Sequence, residues 1–271
     1  MRKTWRIKDH NPSIRNNLAA ALKVSPITAQ LLINRGIDDI KSASDFLDCS
    51  ISSCHDPFLF KDMDKAVSRI KDAISRREKI LVYGDYDVDG MTGVAVLSSA
   101  FKSLGADIHT YIPNRLEEGY GLNMGAIKRA HSSGISLIVT VDCGISSVKE
   151  IEYAKTLNID VVVTDHHEIP GSQVPKAHAV VNALQADCKY PFKHLAGVGV
   201  AYKLVSALFE GTPFSPQEYL DLVSLGTVAD VVPMVGENRI IAKHGLELLG
   251  RSKRAGLRAL MEVTGLEGKD I

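Results

Sequence analysis

Three aspartates stand at alternate positions after a short apolar segment, within the stretch KILVYGDYDVDGMTG. Asp85, Asp87 and Asp89 would all point the same way from an extended chain, and a turn would bring them together. The sequence places no Lys or Arg between Ile80 and Phe101 to balance their negative charges. A divalent cation is the counter-charge that carboxylate oxygens in such an arrangement favour.

The same stretch has two other interpretations. Aspartates are common in turns, where they accept hydrogen bonds from nearby backbone groups, and DxDxDG also resembles half of an EF-hand calcium loop. An EF-hand loop requires a glutamate six residues after the glycine, but Val96 occupies that position and the residues around it are apolar. The strand followed by a helix favours a catalytic metal site over a calcium loop, and a structural turn stays an alternative.

Strands and helices alternate from this stretch onward. Apolar segments predict strands at Ile80 to Tyr83, Asp107 to Ile112, Ser136 to Val141, Ile159 to Thr164 and Ala179 to Asn182. The segments between them have helical length, so the pattern predicts right-handed βαβ units. We therefore expect an α/β fold with a parallel sheet flanked by helices over residues 61–235. A small helical lead-in over residues 1–60 precedes it, and a helical segment over residues 236–271 follows it.

Acidic and histidine side chains come directly after three of the predicted strands. In open parallel sheets, ligands bind outside the carboxyl ends of the strands. Asp142 and the run Asp165, His166 and His167 should therefore lie at the same edge as Asp85 to Asp89. Solvated acids without a shared role have no reason to follow this rule, so the regularity favours a site over a simple turn.

Two later segments also carry chemistry. Asp230 lies in the apolar context VADVVPM, where a carboxylate needs a backbone cap or a metal as its partner. The glycine-rich segment LAGVGVAYKL begins a helix. Its backbone N–H groups could bind a phosphate, or its glycines could permit close helix packing.

The composition limits the classes of protein to be considered. The net charge is +0, from 32 basic and 32 acidic residues, so any polyanion must bind through local patches. The four cysteines have no zinc-ligand spacing, the amino-terminal residues lack a signal-peptide pattern, and no apolar run has the length that spans a bilayer. We expect a cytoplasmic protein that does not bind membranes. A structural role is expected for the remaining histidines: His10, His55, His109, His131, His178, His194 and His244.

Six motifs occur in a fixed order: GDYDVDG, IPNRLEEGYGL, TVDCGIS, VVVTDHHE, LAGVGVAYKL and SLGTVADVVPM. This ordered set closely resembles the DHH phosphoesterase superfamily and, within it, the RecJ-type single-strand-specific 5′→3′ exonucleases. The resemblance covers nearly the whole chain. Many superfamily members carry a histidine where this chain has Tyr83, and that departure matches the RecJ-type subgroup.

The resemblance implies a role for each acidic or histidine side chain of the motifs. Two Mn²⁺ or Mg²⁺ ions would share Asp142 as a bridging ligand. The first ion would be held by Asp87, with Asp85 compensating for the missing histidine directly or through water, and the second by Asp89, His166 and Asp230. His167 would face the scissile phosphate, and Asp165 would orient the histidine pair.

The implied reaction is hydrolysis of single-stranded DNA to 5′-mononucleotides in DNA repair and recombination. A single-strand-binding protein and a helicase are the expected protein partners. Proteins of this type are longer, so the resemblance also implies a second, DHHA1-type domain beyond residue 271 that helps to hold the nucleic acid. Two alternatives stay open: a hydrolase of the same superfamily acting on short oligonucleotides, cyclic dinucleotides or pyrophosphate, and a non-catalytic interaction module.

Overall fold

The computed structural model describes residues 11–269, and its contacts divide the chain into two compact units with the boundary between Ser53 and Cys54. Across residues 11–269, no helix combines the length and the apolar character that crossing a membrane requires. His10 lies outside the described residues, and the division predicted at residues 60 and 235 stays a prediction.

The described part of the amino-terminal unit contains three short α-helices, α1 (Pro12–Leu22), α2 (Pro26–Asn34) and α3 (Ile40–Asp48). Each helix begins after a residue whose side chain accepts a backbone N–H from the first turn, which satisfies a group that the helix leaves unpaired. The side chains that form the core of the unit are Leu18, Ala29, Leu32 and Ala43. The prediction of a small helical lead-in is confirmed for the described residues of this unit.

The second unit is built on one parallel sheet in the order β2-β1-β3-β4-β5. The strands are β1 (Lys79–Gly84), β2 (Asp107–Tyr111), β3 (Ile135–Val141), β4 (Asp160–Thr164) and β5 (Ala179–Val181). The inner strands β1, β3 and β4 are almost entirely buried, which explains why they are continuous apolar segments. The prediction of an α/β fold with a parallel sheet is confirmed.

In the described part of the second unit, eight α-helices surround this sheet or follow it. They are α4 (Met63–Ser75), α5 (Val88–Ser103), α6 (Met124–Ser132), α7 (Val148–Thr156), α8 (Gly197–Phe209), α9 (Leu220–Ala229), α10 (Gly236–Leu249) and α11 (Ala255–Val263). Helix α5 packs against α8 and α9, and α9 packs against α10. The single carboxy-terminal helical pattern is two helices in the structure, because the chain turns between Gly250 and Arg254.

The strand order reverses between β1 and β3. The connection that leaves β1 leads outward to β2, whereas β3 lies on the other side of β1 and leads on to β4 and β5. A crevice forms at such a reversal because the loops after the two strands diverge. The residues after β1, β3 and β4 therefore surround a concave edge of the sheet.

A buried ion pair fixes helix α8, whose amino terminus reaches that edge. The Lys203 Nζ atom lies 2.5 Å from Glu237 Oε1 on α10 and donates to the His55 carbonyl at 2.9 Å. The Tyr190 hydroxyl donates to the other Glu237 oxygen, and the His55 N–H donates to Oε1 at 2.9 Å. Lys203 and Glu237 are each 2% exposed, so the partners compensate charges that water does not reach.

Replacing one member of this pair should destabilise the second unit strongly. We expect Lys203→Met to lower the free energy of unfolding by about 3–5 kcal/mol, because Glu237 would keep a buried charge without its cation. Urea unfolding measures the change, and Lys102→Met, at an exposed lysine of α5, is the matched control. A loss below about 1 kcal/mol would show that the pair does not hold α8 in place.

Candidate metal centre

The first three aspartates lie where β1 passes into α5. Asp85 follows the strand directly, Asp87 caps the helix by accepting the Gly90 N–H at 2.9 Å, and Asp89 lies in the first helical turn. Asp85 and Asp89 are buried, and Asp87 is exposed. The helix thus begins two residues before Gly90, so a tight turn rather than an extended segment brings the three carboxylates together. A Cβ on Gly90 would lie 2.5 Å from the Asp85 carbonyl oxygen, so the turn requires glycine.

Asp142 occupies the centre of the sheet edge, immediately after β3. It is 1% exposed and has a left-handed φ of 60°, a conformation that Asp tolerates better than most residues. Its Oδ1 atom lies 3.1 Å from His166 Nε2 and 3.8 Å from His167 Nδ1. Both histidines follow β4, the neighbour of β3, as the rule for strand ends predicts.

Three overlapping groups of potential ligand atoms share this edge, and the atoms of each group lie within 4.8 Å of one another. The two ligand groups that match the predicted metal sites are Asp85, Asp87 and Asp142, and Asp89, His166 and Asp230; the third group is Asp142, His166 and His167. Asp142 belongs to the first ligand group, and its Oδ1 atom lies 3.1 Å from His166 Nε2 of the second. The structure therefore brings together all six residues for which metal binding is predicted, from segments as distant in sequence as residues 85 and 230.

Asp230 reaches the site from the end of α9. Its Oδ2 atom lies 3.7 Å from His166 Nε2, and its N–H still donates to the Gly226 carbonyl at 2.9 Å. The next residue, Val231, has a φ of 60° and is 84% exposed. A β-branched residue rarely adopts this left-handed conformation, so the chain is strained at the point where it turns away from Asp230.

Asp165 is fully buried and binds backbone and ring N–H groups rather than facing the two ligand groups. Its Oδ1 accepts from the N–H groups of His166 and His167, at 2.8 and 3.1 Å, and its Oδ2 accepts from Ile145 at 2.9 Å. His167 Nδ1 lies 2.8 Å from Asp165 Oδ1. Asp165 therefore orients the ring of His167 directly and contacts His166 only through its backbone.

The amino terminus of α8 binds Asp89. The Gly197 and Val198 N–H groups donate to the two carboxylate oxygens of Asp89, at 2.6 and 2.8 Å. A Cβ on Gly197 would lie 2.6 Å from the Cβ of Asp142. The glycine-rich segment therefore provides close packing, and its first N–H groups bind a carboxylate of the protein instead of a phosphate.

Three buried polar atoms at this edge lack a hydrogen-bond partner among the described residues: Asp85 Oδ1, Asp142 Oδ1 and His166 Nε2. The last two are only 3.1 Å apart but do not have the geometry of a hydrogen bond. Atoms with free lone pairs that converge in this way fit a shared cation. Five carboxylates and one imidazole suit Mn²⁺ or Mg²⁺, which prefer oxygen ligands.

Without a cation, four of the carboxylates hold protons more tightly than usual, those of Asp85, Asp89, Asp142 and Asp230. Burial, together with the Asp89 and Asp87 charges, raises the pKa of Asp142 to about 10. Burial also raises the pKa of Asp89 to about 6, and it raises the pKa values of Asp85 and Asp230. The hydrogen bond to Asp165 raises the pKa of His167, against the opposite effect of burial.

Two aromatic residues near the site are not among the predicted site residues. Tyr120, in the loop before α6, lies with its hydroxyl 3.1 Å from His167 Nδ1. Tyr86 lies beneath the guanidinium of Arg115, 5.2 Å from it. Tyr86 belongs to the motif GDYDVDG and Tyr120 to the motif IPNRLEEGYGL. Membership of these motifs is the sequence feature that could have indicated that both tyrosines lie near the site. Tyr83 belongs to neither ligand group and stacks on Tyr111.

Comparison with known proteins finds a matching family model and similar RecJ proteins. The sequence model described as "DHH family, N-terminal domain" matches residues 79–227. The chain is 46% identical over 261 residues to the single-stranded-DNA-specific exonuclease RecJ of Bacillus subtilis, covering 96% of this chain and 33% of that protein. It is 40% identical to RecJ of Escherichia coli, covering 92% of this chain and 45% of that protein.

A solved structure is also similar. RecJ of Thermus thermophilus in complex with Mn²⁺ has a TM-score of 0.80 and 35% identity, covering 96% of this chain and 37% of that one. The chain therefore spans between a third and a half of the length of these relatives.

A methyl group at position 197 should separate the two halves of the site. We expect Gly197→Ala to weaken Mn²⁺ binding at least about tenfold, because the added Cβ would push α8 away from Asp142 and withdraw the N–H groups from Asp89. Isothermal titration measures the affinity. Gly256→Ala, in α11 with open space around the Cβ position, is the control and should bind Mn²⁺ like the parent protein. Unchanged affinity in Gly197→Ala would contradict the assigned role of the glycine.

The metal-free protein should become less stable as the pH rises. An unfolded aspartate has a pKa of about 4, so between that value and a raised folded-state pKa the folded state binds more protons. Stability is then lost between about pH 4 and 6 through Asp89, and up to about pH 10 through Asp142. We expect Asp142→Asn to raise the metal-free Tm at pH 8 by about 5 °C and to flatten the pH dependence. Calorimetry in EDTA measures both, and a lower Tm for the variant would contradict the assigned repulsion.

Proposed function

The chain belongs to the DHH family, and on that basis we propose that it carries the catalytic centre of a RecJ-type exonuclease. Its reaction is hydrolysis of phosphodiester bonds in single-stranded DNA, from the 5′ end, to 5′-mononucleotides. The observation that carries the proposal is the pair of adjacent ligand groups at the reversal of strand order, one containing Asp142 and the other lying 3.1 Å from it. The relatives described as single-stranded-DNA-specific exonucleases support the choice of substrate.

Two Mn²⁺ or Mg²⁺ ions would supply the positive charge that activates water and stabilises the attacking and leaving oxygens at the phosphorus atom. Asp87 and Asp142, with Asp85 beside them, would hold one ion. Asp89, His166 and Asp230 would hold the other, with Asp142 Oδ1 3.1 Å from His166 Nε2. The relatives whose structures contain Mn²⁺ or Mg²⁺ support this choice of metal.

His167 is the residue that meets the substrate phosphate. Its Nδ1 atom is bound to Asp165, so Nε2 is the nitrogen available to a ligand, and the ring is 45% exposed. Because Asp165 raises its pKa, the imidazole holds a proton more readily than a free histidine. An N–H at Nε2 then donates to a phosphate oxygen as negative charge develops in the transition state.

The carboxylates cannot bind DNA without a cation, because they would repel its phosphates. Affinity for a single strand comes from cationic and aromatic side chains along its path. Arg115 and Tyr86, stacked beside Asp85 at the edge of the site, are side chains of these two types. A cytoplasmic location, and a single-strand-binding protein or a helicase as protein partners, stay predictions.

Digestion of single-stranded DNA labelled at its 5′ end, with Mn²⁺ present, tests the function. We expect release of labelled mononucleotide from the single strand and not from the same sequence in a blunt duplex. Asp142→Ala should lower kcat about a thousandfold, because both ions lose a ligand. Asp85→Ala should lower it only about tenfold to a hundredfold.

Asp64→Ala, at an exposed position of α4, is the matched control and should keep full activity. Equal losses in the Asp142 and Asp85 variants would contradict the bridging role of Asp142. Release from short oligonucleotides or cyclic dinucleotides, with none from long single strands, would instead identify a small-substrate hydrolase of the same family.

A further inference from the structure

We infer that Tyr120 is a positioning residue for His167, and that Tyr83 holds the loop that carries Tyr120 in place. This inference rests on the proposed function, since it concerns how His167 is presented to a phosphate. Tyr120 lies in the loop between β2 and α6 and is 45% exposed. Its ring meets the His167 ring edge-on, with 5.6 Å between centroids.

The hydrogen bonds of the Tyr120 hydroxyl determine which nitrogen of His167 carries a proton. The hydroxyl donates its single proton to the Asp142 carbonyl at 3.2 Å, because a carbonyl can only accept. The same oxygen is 3.1 Å from His167 Nδ1, so it accepts there and Nδ1 must donate. Asp165 Oδ1, at 2.8 Å from Nδ1, requires the same assignment.

Asp165 is an acceptor in this arrangement, since its two oxygens already accept three backbone N–H groups. The Nδ1–H of His167 is therefore shared between two acceptors, Asp165 and Tyr120. Two acceptors restrict rotation of a half-exposed ring more than one does, and they direct Nε2 consistently toward a ligand. Tyr120 also links His167 to the backbone of Asp142, the residue adjacent to both ligand groups.

Tyr83 fixes the loop next to Tyr120. The Tyr83 hydroxyl donates to the Gly121 carbonyl at 2.8 Å and accepts from Asn123 Nδ2 at 3.2 Å. The side chain is fully buried and stacks on Tyr111, so its hydroxyl is a rigid anchor. The position at which many superfamily members carry a histidine thus holds a residue that positions the loop.

Single-turnover kinetics of Tyr120→Phe, His167→Ala and the double variant test the inference. We expect Tyr120→Phe to lower kcat about tenfold on single-stranded DNA with Mn²⁺, because His167 loses a hydrogen bond, while KM stays within about twofold. In the His167→Ala background, the same substitution should cause no further loss, because Tyr120 acts through that ring. Tyr153→Phe, at a half-buried tyrosine of α7, is the control and should keep parental activity.

A second measurement needs neither metal nor DNA. In metal-free protein with ¹⁵N-labelled histidine, the Nδ1–H of His167 should exchange slowly with water. Tyr120→Phe should speed that exchange about tenfold, and Tyr153→Phe should leave it unchanged. Urea unfolding of unlabelled Tyr120→Phe and of the parent protein verifies that the two have the same free energy of unfolding.

The outcomes separate the two proposals. If Tyr120→Phe lowers kcat by the same factor in the parent protein and in His167→Ala, the role of Tyr120 is overturned. An unchanged exchange rate of the His167 Nδ1–H would overturn it as well. Parental protein without activity on single strands would overturn the proposed function, and the exchange measurement would then decide the Tyr120 contact by itself.

Discussion

Electrostatic repulsion among buried carboxylates is the constraint on which this structure depends. Asp142 and Asp89 are each 1% exposed, and the charges of neighbouring aspartates raise the free energy of their ionised forms. Water cannot screen these groups, and the described residues place no ammonium or guanidinium in hydrogen-bond contact with Asp142 or Asp89. A site of this kind lowers the stability of the metal-free protein, and the protein recovers that stability when a cation binds.

The fold opposes this repulsion with backbone groups rather than with charged side chains. Helix α8 directs two N–H groups at Asp89, and its first glycine allows the helix to approach Asp142. Asp165 is held by three further N–H groups. Backbone donors are fixed by the helix and the sheet, so they restrain the carboxylates without adding flexible side chains to the site.

The sequence predicted the sheet and the gathering of the acids, because both follow from periodicity and from the rule for strand ends. Strand periodicity could not reveal that α5 begins at Val88, since the cap formed by Asp87 overrides the extended pattern. It also could not show that Asp165 contacts His166 only through the backbone. Tyr120 was missed because its contact with His167 joins residues 47 positions apart, which no local spacing encodes.

The separation of the ligands along the chain has a kinetic consequence. Asp89, His166 and Asp230 meet only after β1, β3 and β4 have paired and α9 has packed against α5. Contacts between such distant residues form late, because loop closure must come first. A cation that binds only the completed edge cannot nucleate folding, so it leaves the rate of folding unchanged. It instead lengthens the lifetime of the folded state by slowing its opening.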